Sequence, residues 1–204
     1  KLNPQELDGI ILTHRHLDHS NDINVMIEAM TNGGFKKKGL VFAPNDALEE
    51  DPVILKYVRN HVDKIVVLKE NGSYTVGNIS FSTPVRHVHG VESYGLNING
   101  GKHSISLITD TKYFDGIESY YKGDVLIINV VLFDEKPEID HLSLKDAEKI
   151  LSIAKPKLGV ITHFGMSIVK AKPWEIAENL SKKLGVKVVA ARDGMEIDLD
   201  EYKK

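Results

Sequence analysis

Within "ILTHRHLDHSND", residues 11 to 22, three histidines and an aspartate fall in six positions: His14, His16, Asp18 and His19. With 9 histidines in 204 residues, an H-x-H-x-D-H pattern arises by chance in roughly one such chain in a thousand. In an extended segment positions 14 and 16 point the same way, and Arg15 and Leu17 point elsewhere. Asp18 and His19 follow a short turn later and are placed to serve a second centre. Imidazole and carboxylate in such density are metal-ligand chemistry. The chain has no cysteine, so thiolate-held metal and disulfides are excluded, and any metal must be held by histidine and carboxylate.

Four donors do not complete two metal shells. Further donors stand where apolar, strand-like runs end: His87 and His89 in "STPVRHVHGVESYG", Asp110 after "SISLIT", and His163 after "LGVIT". Taken singly, Asp110 reads as a turn residue and His163 as a packed histidine. Their shared place at strand ends, where a rigid element supports a loop, makes them candidates as a group.

The elements that must position these residues follow from periodicity and punctuation. Strand patterns cover 9–13, 39–44, 64–68, 78–85, 94–98, 103–109, 124–130, 158–162, 187–191 and 195–199. Helix patterns cover 21–34, with Asn21 and Asp22 as cap candidates, 51–61 with a proline near its start, 143–155, and the proline-led 173–185. Ser143 and Asp146 form a capping pair, and Leu144, Ala147, Ile150, Leu151 and Ala154 share one face. The alternation predicts one layered α/β domain over residues 1–204, two sheets with helices outside. Hydrophobic residues at 42% and charged ones at 27% are ordinary for a globular chain. No apolar run reaches the length of a membrane span and no signal peptide is visible, so a cytoplasmic protein with no membrane partner is expected. A net charge of −3 provides no general pull toward nucleic acid.

The ordered set H-x-H-x-D-H, H, D, H resembles the metallo-β-lactamase fold superfamily of binuclear metal hydrolases, over most of the chain from "DGIILTHRHLDH" to "AARDGMEIDL". The resemblance implies an αββα sandwich of two mixed sheets with outer helices. It implies two zinc ions, with manganese or iron(II) as substitutes. His14, His16 and His89 would hold the first, Asp18, His19 and His163 the second, and Asp110 would bridge them. For the third histidine both His87 and His89 qualify. The glycine six residues after His89, in "HGVESYG", is similar to the ribonuclease Z and phosphonate-pathway phosphodiesterase branch and favours His89, leaving His87 behind it on the same strand face. "DHLSLKDAEKI" is similar to that branch's H-[LM]-[ST] motif and singles out His141. The H-x-x-G-H-T-like motif of glyoxalase-II-like and lactonase members is absent. His16 stands where flavodiiron proteins carry glutamate, which favours zinc hydrolysis over iron redox chemistry. His61 and His103 match nothing.

The activity so implied is hydrolysis of a small phosphodiester, a nucleotide or a cyclic phosphodiester, by a hydroxide shared between ions about 3.5–4 Å apart. Asp18 and His141 are the expected catalytic residues. His141 would protonate the leaving oxygen or hold a phosphate oxygen, and Asp8 would orient a ligand histidine from behind. Two alternatives are a tRNA 3′-processing endonuclease, with RNA as partner, and an inactive metal-binding scaffold or fragment. Ribonuclease Z of bacteria carries a long Gly/Pro-rich arm for tRNA between the second and third motifs; here that interval holds "TNGGFKKKG", and Lys36 to Lys38 read as a solvated loop. Members of the branch carry several strands ahead of H-x-H. Here the motif arrives within 14 residues, so an N-terminally incomplete sheet is expected, completed by a preceding segment or a second copy of the chain.

Overall fold

The computed structural model describes residues 3–202. The N-terminal part builds a small layer. Strand β1 (Gly9–Ile11) leads into two helices, α1 (Leu17–Ser20) and α2 (Ile23–Met30), then β2 (Leu40–Ala43) and β3 (Lys64–Val67). The three strands form a sheet in the order β1-β2-β3. Both pairings are parallel, with Ile10 opposite Val41 and Phe42 opposite Val66. One of the two sheets is therefore parallel throughout, not mixed, because β1 and β2 are each joined to the next strand by a crossover and not by a hairpin.

The rest of the chain builds the larger layer. Its strands are β4 (Gly72–Val76), β5 (Ile79–Thr83), β6 (Leu96–Gly100), β7 (His103–Ile108), β8 (Val125–Asn129), β9 (Leu158–Thr162) and β10 (Lys187–Ala190). They form a seven-stranded mixed sheet in the order β10-β9-β8-β7-β6-β5-β4. Strands β7 to β10 are parallel and β4 to β7 antiparallel. Helices α3 (Leu144–Ala154), α4 (Met166–Lys170) and α5 (Pro173–Leu184) belong to this half.

Strand alternation sorts the side chains into layers. In β2, Val41 and Ala43 turn toward Ile23, Ile27 and Met30 of α2. Leu40 and Phe42 turn the other way, onto Phe81, Leu96 and Leu107 of the large sheet. On the far face of that sheet, Leu126, Ile128, Ile161 and Val188 meet Ala147, Ile150 and Leu151 of α3 and Ala177 and Leu180 of α5. The order helix, sheet, sheet, helix is the expected αββα sandwich. Helix α3 begins with the expected capping box, Ser143 accepting from the Asp146 backbone and Asp146 from that of Ser143.

Two expected elements do not form. Residues 51–61 are a loop ending in one 3₁₀ turn, Val58–His61. The Val53 and Ile54 amides both donate to the Ala47 carbonyl, Leu55 donates to Asn24, and the Arg59 side chain takes the Ile54 and Leu48 carbonyls. The apolar residues still bury, but the backbone finds its partners outside a helix. Residues 195–199 are not a strand. A turn at Gly194, with φ at 72°, sends the chain across the sheet face, where Ile197, Leu199 and Tyr202 cover Val125, Leu158 and Val160. The β4 strand and α4 were not anticipated from sequence. Among the described residues β1 pairs with β2 alone, and no helix is long and apolar enough to cross a membrane.

Candidate metal centre

Most candidate donors stand on strand ends or on the loops beyond them, while Asp18 and His19 sit in the short helix α1 and His141 on the loop before α3. The Leu12 amide extends β1 by donating to the Phe42 carbonyl, and Thr13 then accepts from Tyr94. This fixes the backbone up to His14, which is wholly buried at 0% exposure. His16 is the N-cap of α1, and that single turn swings His19 back against His14 and sets Asp18 beside His19 and His163. Between them Arg15 points outward to the Asp51 carbonyl, 2.8 Å away, and Leu17 is 73% exposed. The alternation expected from the spacing is therefore present.

His89 lies on the loop after β5. The Val88 amide donates to Thr111 Oγ1 and the Val88 carbonyl accepts from Lys112, so this loop is laced to the one carrying Asp110 beyond β7. Gly95 is needed close by, since a Cβ there would stand 2.6 Å from the Leu107 carbonyl oxygen. His163 follows β9 directly with φ at 60°, a left-handed backbone that costs a non-glycine residue on the order of 1 kcal/mol or more. His141 lies two residues before the Ser143 cap.

The donor atoms gather in two sets. In the first are His14, His16 and His89, with His16 Nδ1 and His89 Nε2 3.0 Å apart. In the second are Asp18, His19, Asp110 and His163, with His19 Nε2 and His163 Nε2 2.9 Å apart. Asp110 Oδ2 stands between the sets, 3.6 Å from His14 Nε2 and 3.2 Å from His19 Nε2. Nitrogens bound tetrahedrally to one zinc at about 2.0–2.1 Å would lie about 3.3 Å apart, close to these spacings. His141 Nδ1 is 3.8 Å from Asp110 Oδ2 and makes a third grouping with His89 and Asp110.

The protonation states suit a cation. Burial, followed by the neighbouring His19, lowers His14 to about 3, so its ring is neutral at pH 7. Burial likewise lowers His16, followed by the proximity of His89, and it lowers His141. For Asp110 burial pushes upward, but hydrogen bonds from His19 and Asn129 outweigh it and hold the carboxyl well below the usual range. His14 Nδ1 is paired with Thr13 Oγ1 at 3.2 Å, while its Nε2 is buried with no hydrogen-bond partner among the described residues. An orphaned buried nitrogen costs about 1–3 kcal/mol; a metal ion in the first set would meet its lone pair. His89 Nδ1 donates to the Asp140 carbonyl at 2.9 Å, which fixes the ring with Nε2 turned to the centre. The residues present fit divalent ions.

Other expectations fare differently. Asp8 is exposed at the start of β1, about 20 Å along an extended chain from His14, so the orienting contacts come from Thr13 and Asp140 instead. Lys36 to Lys38 lie ahead of β2 at that same far end. His61 lies against the Tyr57 ring, and His103 pairs with Asp200 at 3.2 Å. His87 is absent from every donor grouping; its Nε2 meets the Tyr121 hydroxyl at 2.7 Å. Asn129, which donates to Asp110 Oδ1 at 2.8 Å, went unnoticed in the sequence. Its one signal is an amide closing the apolar run "VLII" beside the strand that carries Asp110.

Buried His87 is lowered to about 4 by burial, which yields a prediction. Its folded-state value lies below the unfolded 6.5, so its neutral form contributes stability that is complete above pH 6.5 and lost as pH falls toward 4. The slope is up to about 1.4 kcal/mol per pH unit. In chelator-treated protein, where His14 contributes in the same direction, denaturant unfolding from pH 7 to pH 4 should show this loss, and His87→Leu should reduce its slope by up to about 1.4 kcal/mol per pH unit. A wild-type profile that is flat across that window would refute the assignment.

The family description "Beta-lactamase superfamily domain" matches residues 1–164. An uncharacterized protein of Methanocaldococcus jannaschii, MJ1374, is 24% identical over 98% of this chain and 77% of its own length. The probable metallo-hydrolase YhfI of Bacillus subtilis is 27% identical over 78% of this chain and 66% of its own. The crystal structure of YhfI superposes with a TM-score of 0.79 at 20% identity, covering 94% of this chain and 78% of that one. A diphosphatase from the PhnP family does so with 0.68 at 21% identity, covering 94% and 70%, and human tRNase Z, short form, with 0.68 at 16%, covering 98% and 82%. With the family match spanning the strands and loops that carry every clustered donor, the chain belongs to the β-lactamase superfamily as a metallo-β-lactamase fold hydrolase.

Proposed function

We propose that the chain is a phosphodiesterase that works with two divalent ions, one in each donor set, with zinc the first choice for a sulfur-free histidine and carboxylate site. The observation that carries the reading is the position of Asp110 Oδ2, between the two sets and within 4 Å of His14, His19, His141 and His163. Ions held there supply Lewis acidity toward phosphoryl oxygens and a water acidified to a pKa near 7.

The chain's own residues do the rest. Buried His14 stays neutral at pH 7, and burial pushes His16 in the same direction. Asp18, itself held below its ordinary value by His19 against the opposing effect of burial, adds the second set's own negative charge. His141 stands on the open side, its ring centroid 5.2 Å from that of His89. Its Nδ1 lies 3.8 Å from Asp110 Oδ2, which places the ring where it can serve the leaving oxygen of a bound phosphodiester. A groove of about 300 Å³ opens next to His141 between Lys112, Tyr113, Pro137 and Ile139. That is the small end of ligand sites and suits a compact leaving group.

Support for phosphate chemistry also comes from the fold's neighbours, one of them a diphosphatase and another a tRNase Z. The tRNA reading lacks an arm: α2 and β2 are joined by Thr31 to Gly39 alone. The test is purified protein reconstituted with zinc or manganese and offered bis-p-nitrophenyl phosphate, a panel of cyclic and linear nucleotide diesters, and a precursor tRNA. Turnover of the small diesters with about two ions per chain is the expected result. Cleavage of the tRNA alone would replace it with the endonuclease, and metal uptake without turnover of any would make the chain a scaffold.

A further inference from the structure

Asp110 is 2% exposed and Asn129 8%, and the hydrogen bond between them is buried. Asn129 is the last residue of β8 and pairs in register with Thr162 of β9, one position before His163. Its side-chain amide donates to Asp110 Oδ1 at 2.8 Å. On the other side the Asp110 main chain is fixed, its carbonyl accepting from Ser93 Oγ at 3.0 Å. With one carboxylate oxygen engaged and the backbone held, the carboxylate cannot turn about its own axis without breaking a buried bond. The other oxygen, Oδ2, lies 3.2, 3.6, 3.7 and 3.8 Å from His19, His14, His163 and His141.

We infer that Asn129 is a positioning residue that engages Oδ1 of Asp110 and so presents Oδ2 as the oxygen that ions held by the two donor sets would use. This rests on the two-ion reading above. A free carboxylate has two further options: one oxygen to each ion, or both oxygens on a single ion. A donor bond to Oδ1 disfavours both, since it occupies one lone pair of that oxygen and fixes the plane of the carboxylate. An amide suits the task because it donates without adding charge to a site already rich in it, and it cannot lose the proton it donates. The first set has three histidines of its own, whereas the second counts Asp110 among its members. Releasing Asp110 should therefore weaken the ion held with Asp18, His19 and His163 and leave the other in place.

The test is manganese(II) titration of metal-free protein followed by EPR, on the wild type, Asn129→Leu and Asn129→Asp, with circular dichroism confirming the fold. Leucine removes the donor at similar volume. Aspartate keeps the shape and replaces the donor with an acceptor, so one variant remains informative if the other fails to fold. The expected result is two spin-coupled ions in the wild type. In the variants the first ion should bind as before and the second about 10- to 100-fold more weakly, with the coupling altered or lost. Variants that bind two ions with wild-type affinity and coupling would overturn the inference, as would a parallel loss of both ions. A wild type that takes up fewer than two ions would overturn the two-ion reading and this inference with it.

Discussion

Asp110→Ala should reduce metal content from about two ions per chain to one or none, and phosphodiester turnover by on the order of a thousandfold or more, about 4 kcal/mol of barrier. Among the described residues Asp110 supplies the one carboxylate oxygen close to both donor sets; Asp18 reaches His19 and His163 of the second set alone. Alanine also strands the Asn129 amide, at about 1–3 kcal/mol for a buried donor left unpaired, so stability falls without the fold being lost. Elemental analysis, circular dichroism and the diester assay on the same preparation separate these effects. A variant holding two ions at wild-type rate would remove Asp110 from the centre.

His141→Ala should keep both ions and lower kcat by roughly 10² to 10⁴, the range for losing a general acid. Its place is unlike that of the strand-end donors: it precedes helix α3, on a loop that closes by the Leu132–Ser143 bridge. The loop reaches the centre through the Asp140 carbonyl, which accepts from His89. The loss should shrink for p-nitrophenolate, which leaves without help, and grow for a ribose or alkyl leaving group. A loss equal for all leaving groups would make His141 a holder of phosphate oxygen. Metal lost in proportion to activity would make it a ligand, a role its grouping with His89 and Asp110 permits geometrically.

Much of this was legible in the residues. The alternation of "GIILTHRH" sets His14 and His16 on one side because the strand continues through Leu12. The capping pair Ser143 and Asp146 announces α3 because both bonds are local. What was illegible depends on distant partners. The 51–61 stretch has a helical spacing of apolar residues, yet Asn24, Ala47 and the Arg59 side chain claim its backbone groups. "MEIDL" has strand-like alternation, but it lies over Leu158 and Val160 and joins no edge. Tyr74 and Val76 of β4 alternate as a strand should, within "NGSYTVGN", whose polar and glycine residues mask it. Asn129 could not be singled out, because its partner is 19 positions away and is met through a parallel strand neighbour.

The layers contribute unequally to the centre: His14, His16, Asp18 and His19 extend from the small sheet, and His89, Asp110 and His163 from the large one. His19 and His163 meet although they are 144 positions apart in the chain. The contact is non-local, so its closure entropy is met only by the folded arrangement of both layers. An unfolded chain therefore offers an ion only the neighbouring histidines at 14, 16 and 19, and the full donor sets exist only once both layers have docked. Ions taken up by the two sets would bind the docked layers in preference to the unfolded chain, and so would stabilise the docked state by mass action.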